Sequence, residues 1–400
     1  MFPSKALLSL CILATAASAS PVKRESKASL SFATRFKQLD KGQTIADIDR
    51  ARASSLKASG HAKRDGTVSI TNAVVTYTAS VGVGSPATQY NLLIDTGSSN
   101  TWLGADTAYS PTSSSSDTGN TVSVSYGSGS FSGEEYTDTV TLGDGLVIKK
   151  QSIGVSSSAQ GFQGVDGILG IGPVDLTQGT VSSTDSVPTV TDNLYSQGTI
   201  STESIGIYFA PAAGDDSTGE LSFGGPDSSK TTSDVAYVPL TSTSPASYYW
   251  GIDQSITYGS QTILDSTAGI VDTGTTLVLI ASDAFQKYQE ATGAKADSAT
   301  GLLKITSAQY SKLQDLNFNI GGTDYPLTAN AQIFPRSLNT QIGGDANSIY
   351  LIVADIGTES GQGLDFIDGY SFLERYYSVY DTTNSQFGIA KTANTDATSN

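Results

Sequence analysis

Two segments of the chain repeat one pattern. NLLIDTGSSNTW at 91–102 and GIVDTGTTL at 269–277 each place an aspartate after an apolar run and follow it with Thr-Gly and a hydroxyl residue. Asp95 and Asp272 lie 177 residues apart, close to half the length of chain beyond Arg64. A short apolar run bounded by glycine reads as a core strand. Each aspartate then falls where such a strand ends, on a tight loop that glycine permits. The tripeptide alone says little in a chain rich in Ser, Thr and Gly, and the sequence holds its own control. Asp117-Thr118-Gly119 sits in SSSSDTGN, with no apolar run before it, and reads as a surface turn. Two copies that do end core strands predict two similar lobes setting two carboxylates face to face.

The reactive side chains narrow the chemistry further. The one Cys is Cys11, the one His is His61 and the one Met is Met1. Residues 65–400 therefore contain none of the three. Ser-His-Asp and Cys-His schemes need an imidazole, and zinc hydrolases need His or Cys ligands. Asp, Glu, Tyr and a few Lys remain for acid–base work. No metal or cofactor is implied. The 336 residues after Arg64 are enough to bury a large core without disulfides. No Asn-x-Ser/Thr sequon occurs.

The front of the chain is built differently from the rest. Residues 1–20 run from Lys5 through ALLSLCILATAA to Ala17-Ser18-Ala19, the order of a secretory signal peptide. Residues 21–64 hold eleven Lys and Arg against four acids and end in Lys63-Arg64. The whole chain carries −16, so residues 65–400 carry −24. A basic segment ahead of an acidic body reads as a separable propeptide cut near the dibasic pair. The acidic body argues against nucleic acid and against anionic membrane surfaces. It suits work at low pH, where many carboxylates are protonated.

Along residues 65–400, short apolar alternations are separated by Gly, Ser, Asp and Asn turns. Examples are 74–84, 121–126, 135–142 and 376–381. Helical spacing is confined to 190–198, 282–293 (with Ser282 as N-cap and Gly293 as stop) and 307–316. The reading is a mostly antiparallel, all-β chain in two similar halves with few short helices. The expected divisions are 1–20, 21–64, an N-terminal lobe at 65–243 and a C-terminal lobe at 244–400.

Two carboxylates ~3 Å apart at an effective dielectric of ~20 repel by about 5 kcal/mol, which is roughly four pKa units. Such a pair holds one proton over a broad acidic range and contains a base and an acid at once. A water between them can lose a proton to one oxygen while the other carboxyl donates to a carbonyl. The titration belongs to the pair, so neither residue is assigned as base or acid.

With LLIDTGSSNTW, YGSGSFSG, DGILGIGP, GIVDTGTTL and FLERYYSVYDTTN in this order, the chain resembles the pepsin-family aspartic endopeptidases over residues 68–393. The resemblance implies an all-β, bilobal fold of two pseudo-symmetric, barrel-like lobes with a central cleft and few short helices, carrying the catalytic pair Asp95 and Asp272. It implies that Thr96 and Thr273 lock the two loops, with Gly97 and Gly274 beside them. Ser98 and Thr275 would hydrogen-bond the outer carboxylate oxygens. Tyr126 would be the tyrosine of a flap hairpin with Gly127 and Ser128 at its tip, and Trp102 the indole that reaches it. Polypeptides are the expected substrates, cut between apolar residues, and the propeptide is the expected intramolecular inhibitor. A secreted monomer is expected. Three departures stand out: no disulfides, so loops that relatives tie down are expected to be mobile; Asp368 and Tyr370, where an aliphatic residue and an acid are usual; and Ser128, acidic in some fungal relatives that accept Lys beside the scissile bond. Other readings are a silent binding protein, a glycoside hydrolase with paired carboxylates, and a Ser/Thr-rich wall protein. The intact Asp-Thr-Gly loops oppose the first, the presence of only Trp102 and Trp250 as indole platforms opposes the second, and the polar tail KTANTDATSN opposes the third.

Overall fold

The computed structural model describes residues 28–36, 42–59, 75–126, 129–143, 145–211 and 218–400. The segment 1–20, the pair Lys63-Arg64 and the hairpin tip Gly127-Ser128 lie outside the described residues. The described chain is mostly β with short helices, arranged as a 13-stranded, a 7-stranded and a 3-stranded sheet. Among the described residues no helix is long and apolar enough to cross a membrane.

The apolar runs before the two aspartates do become core strands. Leu92, Ile94, Ile270 and Val271 are all buried. Strand Thr88–Asp95 runs parallel to Gly167–Gly170, with Asp95 opposite Gly170, and Thr101–Leu103 pairs antiparallel with the same central strand. The second half repeats this. Strand Gln261–Val271 runs parallel to Phe366–Asp368, and Val278–Ile280 pairs antiparallel with it. Each Asp-Thr-Gly loop is thus the crossing from one neighbour of a short central strand to the other. That crossing places the carboxylate at the strand's end, where ladder hydrogen bonds stop and a site can open.

The lobes share strands. Tyr376–Asp381 from the end of the chain joins the 13-stranded sheet beside Ser204–Tyr208, and Gln386–Lys391 pairs with it on its other side. Strand Ala28–Phe36 of the basic segment lies in the same sheet, antiparallel to both Val75–Val83 and Thr218–Phe223. The basic segment also supplies the helix Ile45–Ser59, which packs Ile45, Ala46 and Ala53 into the main core.

Local expectations needed three adjustments. The helix Ser282–Thr292 ends at Gly293 as predicted, at φ +66, but its N-cap is Ala281. Ser282 is the first helical residue, and its hydroxyl donates to Asp355 Oδ1 at 2.6 Å. The helix in 307–316 spans only Ser307–Tyr310, closed by a Thr306–Gln309 capping box, because Leu316–Ile320 is needed as a strand. Asp117-Thr118-Gly119 is exposed, but it is a bulge within strand Ser116–Tyr126 and not a separate turn. Gly119 has φ +73, and its N–H donates to Asp117 Oδ1 at 2.8 Å.

A carboxylate does part of what a disulfide would do in the loop after Trp102. Asp138 is buried and accepts from Tyr109 Oη at 2.7 Å, Ser114 Oγ at 2.6 Å and Ser115 Oγ at 2.8 Å. Burial pushes its carboxyl up, but the hydrogen bonds from Ser114, Tyr109 and Ser115 outweigh this and hold it below the ordinary 3.8. Its stabilising contribution is therefore complete above the ordinary value and fades only as pH falls through the lower folded-state value. Asp138→Asn turns one acceptor oxygen into a donor facing hydroxyls. It is expected to lower stability by about 2–3 kcal/mol, read as the urea midpoint of the precursor at neutral pH. The gap from wild type should narrow in strong acid.

Candidate active site

The two loops meet in a near-mirror arrangement. Gly97 N–H donates to Asp95 Oδ1 at 3.0 Å, and Gly274 N–H donates to Asp272 Oδ1 at 3.2 Å. Ser98 Oγ donates to Asp95 Oδ2 at 2.6 Å, and Thr275 Oγ1 to Asp272 Oδ2 at 2.6 Å. Beneath them the threonines exchange bonds across the lobes: Thr273 N–H to Thr96 Oγ1 at 2.9 Å, and Thr96 N–H to Thr273 Oγ1 at 3.1 Å. Thr96 Oγ1 lies 3.5 Å from Asp272 Oδ1, so the first lobe's loop reaches the second lobe's carboxylate. Every one of these donors is buried or half-buried, which makes the bonds stronger than they would be in water.

Glycine is required at both loops by close approach. A Cβ at Gly97 would lie 2.9 Å from Asp272 Oδ1, and one at Gly274 would lie 2.8 Å from Asp95 Oδ1. Any side chain would press on the opposite carboxylate and, more closely still, on the Arg52 side chain described below.

The flap side is a second buried cluster. Trp102 stacks on Phe131 with ring centroids 4.2 Å apart and 7° between planes, and Phe162 meets it edge-on at 4.8 Å. The Trp102 Nε1–H donates to Tyr126 Oη at 2.8 Å. Burial, then the nearby charge of Asp95, hold the Tyr126 phenol firmly protonated. Tyr126 pairs with Gly129 at the end of the hairpin formed by Ser116–Tyr126 and Gly129–Gly143.

The space between the carboxylates and the flap is occupied by the helix Ile45–Ser59. Arg52 Nη2 donates to Asp95 Oδ1 at 2.6 Å and to Asp272 Oδ1 at 2.9 Å, while Nε donates to Asp272 Oδ2 at 2.7 Å. One guanidinium therefore spans both carboxylates, a geometry its planar fork suits and an ammonium does not. Burial pushes Asp272 up, but the Arg52 charge, followed by the Arg52, Thr275 and Gly274 hydrogen bonds, holds it below its ordinary value. One turn earlier, Asp49 Oδ2 accepts from Thr276 N–H at 3.1 Å and Leu277 N–H at 2.8 Å. Burial pushes the Asp49 carboxyl up to about 7. Tyr249 Oη donates to Leu56 O at 2.9 Å, Arg50 Nε donates to Asp355 O at 3.2 Å, and Lys57 Nζ donates to Thr358 Oγ1. A cavity of about 30 Å³ remains beside the helix, lined by Arg52, Ser98, Val124, Tyr126, Leu176 and Tyr249 among others.

The structure thus brings together Asp95, Thr96, Gly97, Ser98, Trp102, Tyr126, Asp272, Thr273, Gly274 and Thr275. Gly127 and Ser128 lie outside the described residues. The sequence marks residues 21–64 as the expected inhibitor, and the structure singles out Arg52 among their eleven basic side chains as the one on the pair. The usable signal for Arg52 is Asp49 three residues earlier in a stretch of good helix formers, which sets both on one face. Tyr370 is buried and donates to Ala210 O at 3.1 Å, so it bonds locally where an acid would otherwise be.

Comparison with known proteins agrees with this geometry. The family described as eukaryotic aspartyl protease matches residues 76–392. Polyporopepsin of Irpex lacteus is 66% identical over 339 residues, covering 84% of this chain and 99% of that protein. Rhizopuspepsin-1 of Rhizopus niveus is 35% identical, covering 80% of each. The crystal structure of an aspartic proteinase from Irpex lacteus superposes with a TM-score of 0.79 at 66% identity, covering 81% of this chain and 96% of that one. The chain belongs to the eukaryotic aspartyl protease family and is an aspartic endopeptidase, a hydrolase of peptide bonds. Within that class its sequence closely resembles polyporopepsin.

Proposed function

We propose that the protein is a secreted acid endopeptidase, made as a zymogen, in which Asp95 and Asp272 share one proton and activate a water held between them. The observation that carries this reading is the mirrored set of donors on the two carboxylates. Each outer oxygen receives one hydroxyl and each inner oxygen one glycine N–H. Donors matched in kind, with only a long Thr96 Oγ1 contact to Asp272 breaking the symmetry, make the two carboxyls near-equivalent, so the proton is shared by the pair and not fixed on one member. When the helix Ile45–Ser59 is gone, an extended polypeptide takes its place between the loops and the flap. Val124, Leu176 and Tyr249 then offer apolar surface beside the scissile bond. The ionised oxygen takes a proton from water as the other carboxyl donates to the peptide carbonyl, so no covalent intermediate forms. Tyr126, fixed by Trp102, closes the site from above.

Residues 21–64 act as the intramolecular inhibitor, with Arg52 as the plug. The sign of its pH response is set by Asp272. Because Arg52 holds that carboxyl below the ordinary 3.8, the pairing contributes fully above that value and is lost as pH falls through the lower docked value. Asp49 has the opposite sign. Its docked carboxyl, up at about 7, favours docking most below 3.8 and loses that contribution as pH rises through about 7. Release in acid is therefore driven by the dyad and resisted by Asp49. Acidifying the purified precursor is expected to yield activity together with a chain shortened by about the first 64 residues, read by N-terminal sequencing. Activity of equal strength from the uncut chain at neutral pH would contradict the zymogen reading.

A further inference from the structure

Asp368 is a carboxyl that the reaction does not use. It ends the strand Phe366–Asp368, is 0% exposed, and lies directly beneath the second loop, where its backbone O accepts from Asp272 N–H at 3.2 Å. Its Oδ1 accepts from Gln254 Nε2 at 3.1 Å, and its Oδ2 has no hydrogen-bond partner among the described residues. Gln254 is 1% exposed, and its Oε1 is likewise buried without a partner among them. The two orphaned atoms belong to the two groups that already share one bond. Two acceptor oxygens cannot satisfy each other, and leaving either unpaired in a dry interior is costly. One proton on Asp368 Oδ2 resolves both, because a carboxylic acid and a primary amide pair through two parallel hydrogen bonds.

We propose that Asp368 is a proton-carrying tie: held as the neutral acid, it closes a two-bond ring with Gln254, and the ring opens when the carboxyl ionises. The position gives the tie a purpose. Gln254 lies on strand Gly251–Tyr258 and Asp368 on Phe366–Asp368, the two neighbours of strand Gln261–Val271, which delivers Asp272. The ring clasps both neighbours across the end of that strand. Opening it sends a charged group in search of water and loosens the loop that carries Asp272. The tie thereby sets an upper pH limit on the C-terminal side of the site.

The groups facing Asp368 agree with a neutral state. Asp272 lies at the end of the adjacent strand, and Tyr380 faces from Tyr376–Asp381, its phenol pushed up by burial and then by the charges of Asp272 and Asp368. Arg52, the nearest cation of the helix above, is bound to Asp95 and Asp272. Burial drives the Asp368 carboxyl up to about 8, with only the Gln254 amide opposing.

Asp368→Asn supplies the test, because an asparagine amide forms the same two-bond ring with Gln254 and cannot ionise. In the full chain, the folding constant of wild type relative to Asp368→Asn is expected to fall about tenfold per pH unit between roughly pH 4 and roughly pH 8, and to level off above. Urea unfolding at several pH values reads this. Parallel profiles for the two proteins would overturn the proposal, as would a variant far less stable than wild type at pH ~5, since that would show the site needs a carboxylate. Infrared difference spectra of wild type provide a readout independent of whether the variant folds. Because the buried Asp49 carboxyl is also pushed up to about 7, the spectra are taken on Asp49→Asn as well: a buried protonated aspartate C=O band that persists there near neutrality and is lost by about pH 9 supports the tie, and its absence at neutrality refutes it.

Discussion

Arg52→Ala is expected to remove the latency of the precursor. In wild type, one guanidinium side chain, about 10% exposed, neutralises two carboxylates that are themselves almost wholly buried. Removing it leaves both carboxylates beneath the docked helix without a counter-charge, which costs about 3–5 kcal/mol for a buried pair. That is roughly a 10²–10⁴-fold loss in docking of the helix. What still holds the helix is the core packing of Ile45, Ala46 and Ala53 and individual hydrogen bonds through Asp49, Leu56, Arg50 and Lys57, none of which neutralises the two carboxylates. The uncut variant should therefore hydrolyse unfolded globin in mild acid where the wild-type precursor is silent. Arg52→Lys should fall between the two, because one ammonium cannot reproduce three hydrogen bonds spread over both carboxylates. A variant that stays intact and silent would show that the helix blocks the cleft by bulk alone.

Asp272→Asn is expected to abolish peptide hydrolysis by the processed enzyme, by about 10⁴-fold or more. Asparagine keeps the shape, and its oxygen can still accept from Gly274 N–H. What disappears is the shared proton: an amide neither donates an acid proton nor takes one from water. Stability should not fall, because the substitution removes a like charge beside Asp95. Loss of activity with an unchanged or raised Tm separates this effect from unfolding. Asp95→Asn should behave in the same way, given the matched donors on the two carboxylates.

Much of the site was legible in the sequence because its signals are local. The runs LLI and GIV, each ending in Asp-Thr-Gly, announce core strands that deliver a carboxylate, and they do. The hydroxyls at Ser98 and Thr275 sit three residues on, close enough to fold back onto their aspartates. What the sequence hid depends on long-range contacts. Nothing local marks Arg52 decisively among eleven basic residues, since its partners lie 43 and 220 residues away. The pairing of Gln254 with Asp368 spans 114 residues and leaves no pattern in either segment. Ser282 illustrates a smaller failure. It has the right chemistry for an N-cap, but the helix begins at Ser282 itself, and its hydroxyl ties the first turn to Asp355, 73 residues away. Nor does the sequence mark Asp138 as the carboxylate that gathers Tyr109, Ser114 and Ser115, since those partners lie 23 to 29 residues away.

The central claim is that Asp95 and Asp272 work as one proton-sharing pair. Its most direct test is the rate of hydrolysis of unfolded globin from about pH 2 to about pH 8, for the processed protein and for Asp272→Asn. The account predicts a rate that peaks in acid and vanishes with the substitution. A rate that survives the substitution, or that peaks near neutrality, would mean that the two matched loops are scaffold and the chemistry lies elsewhere.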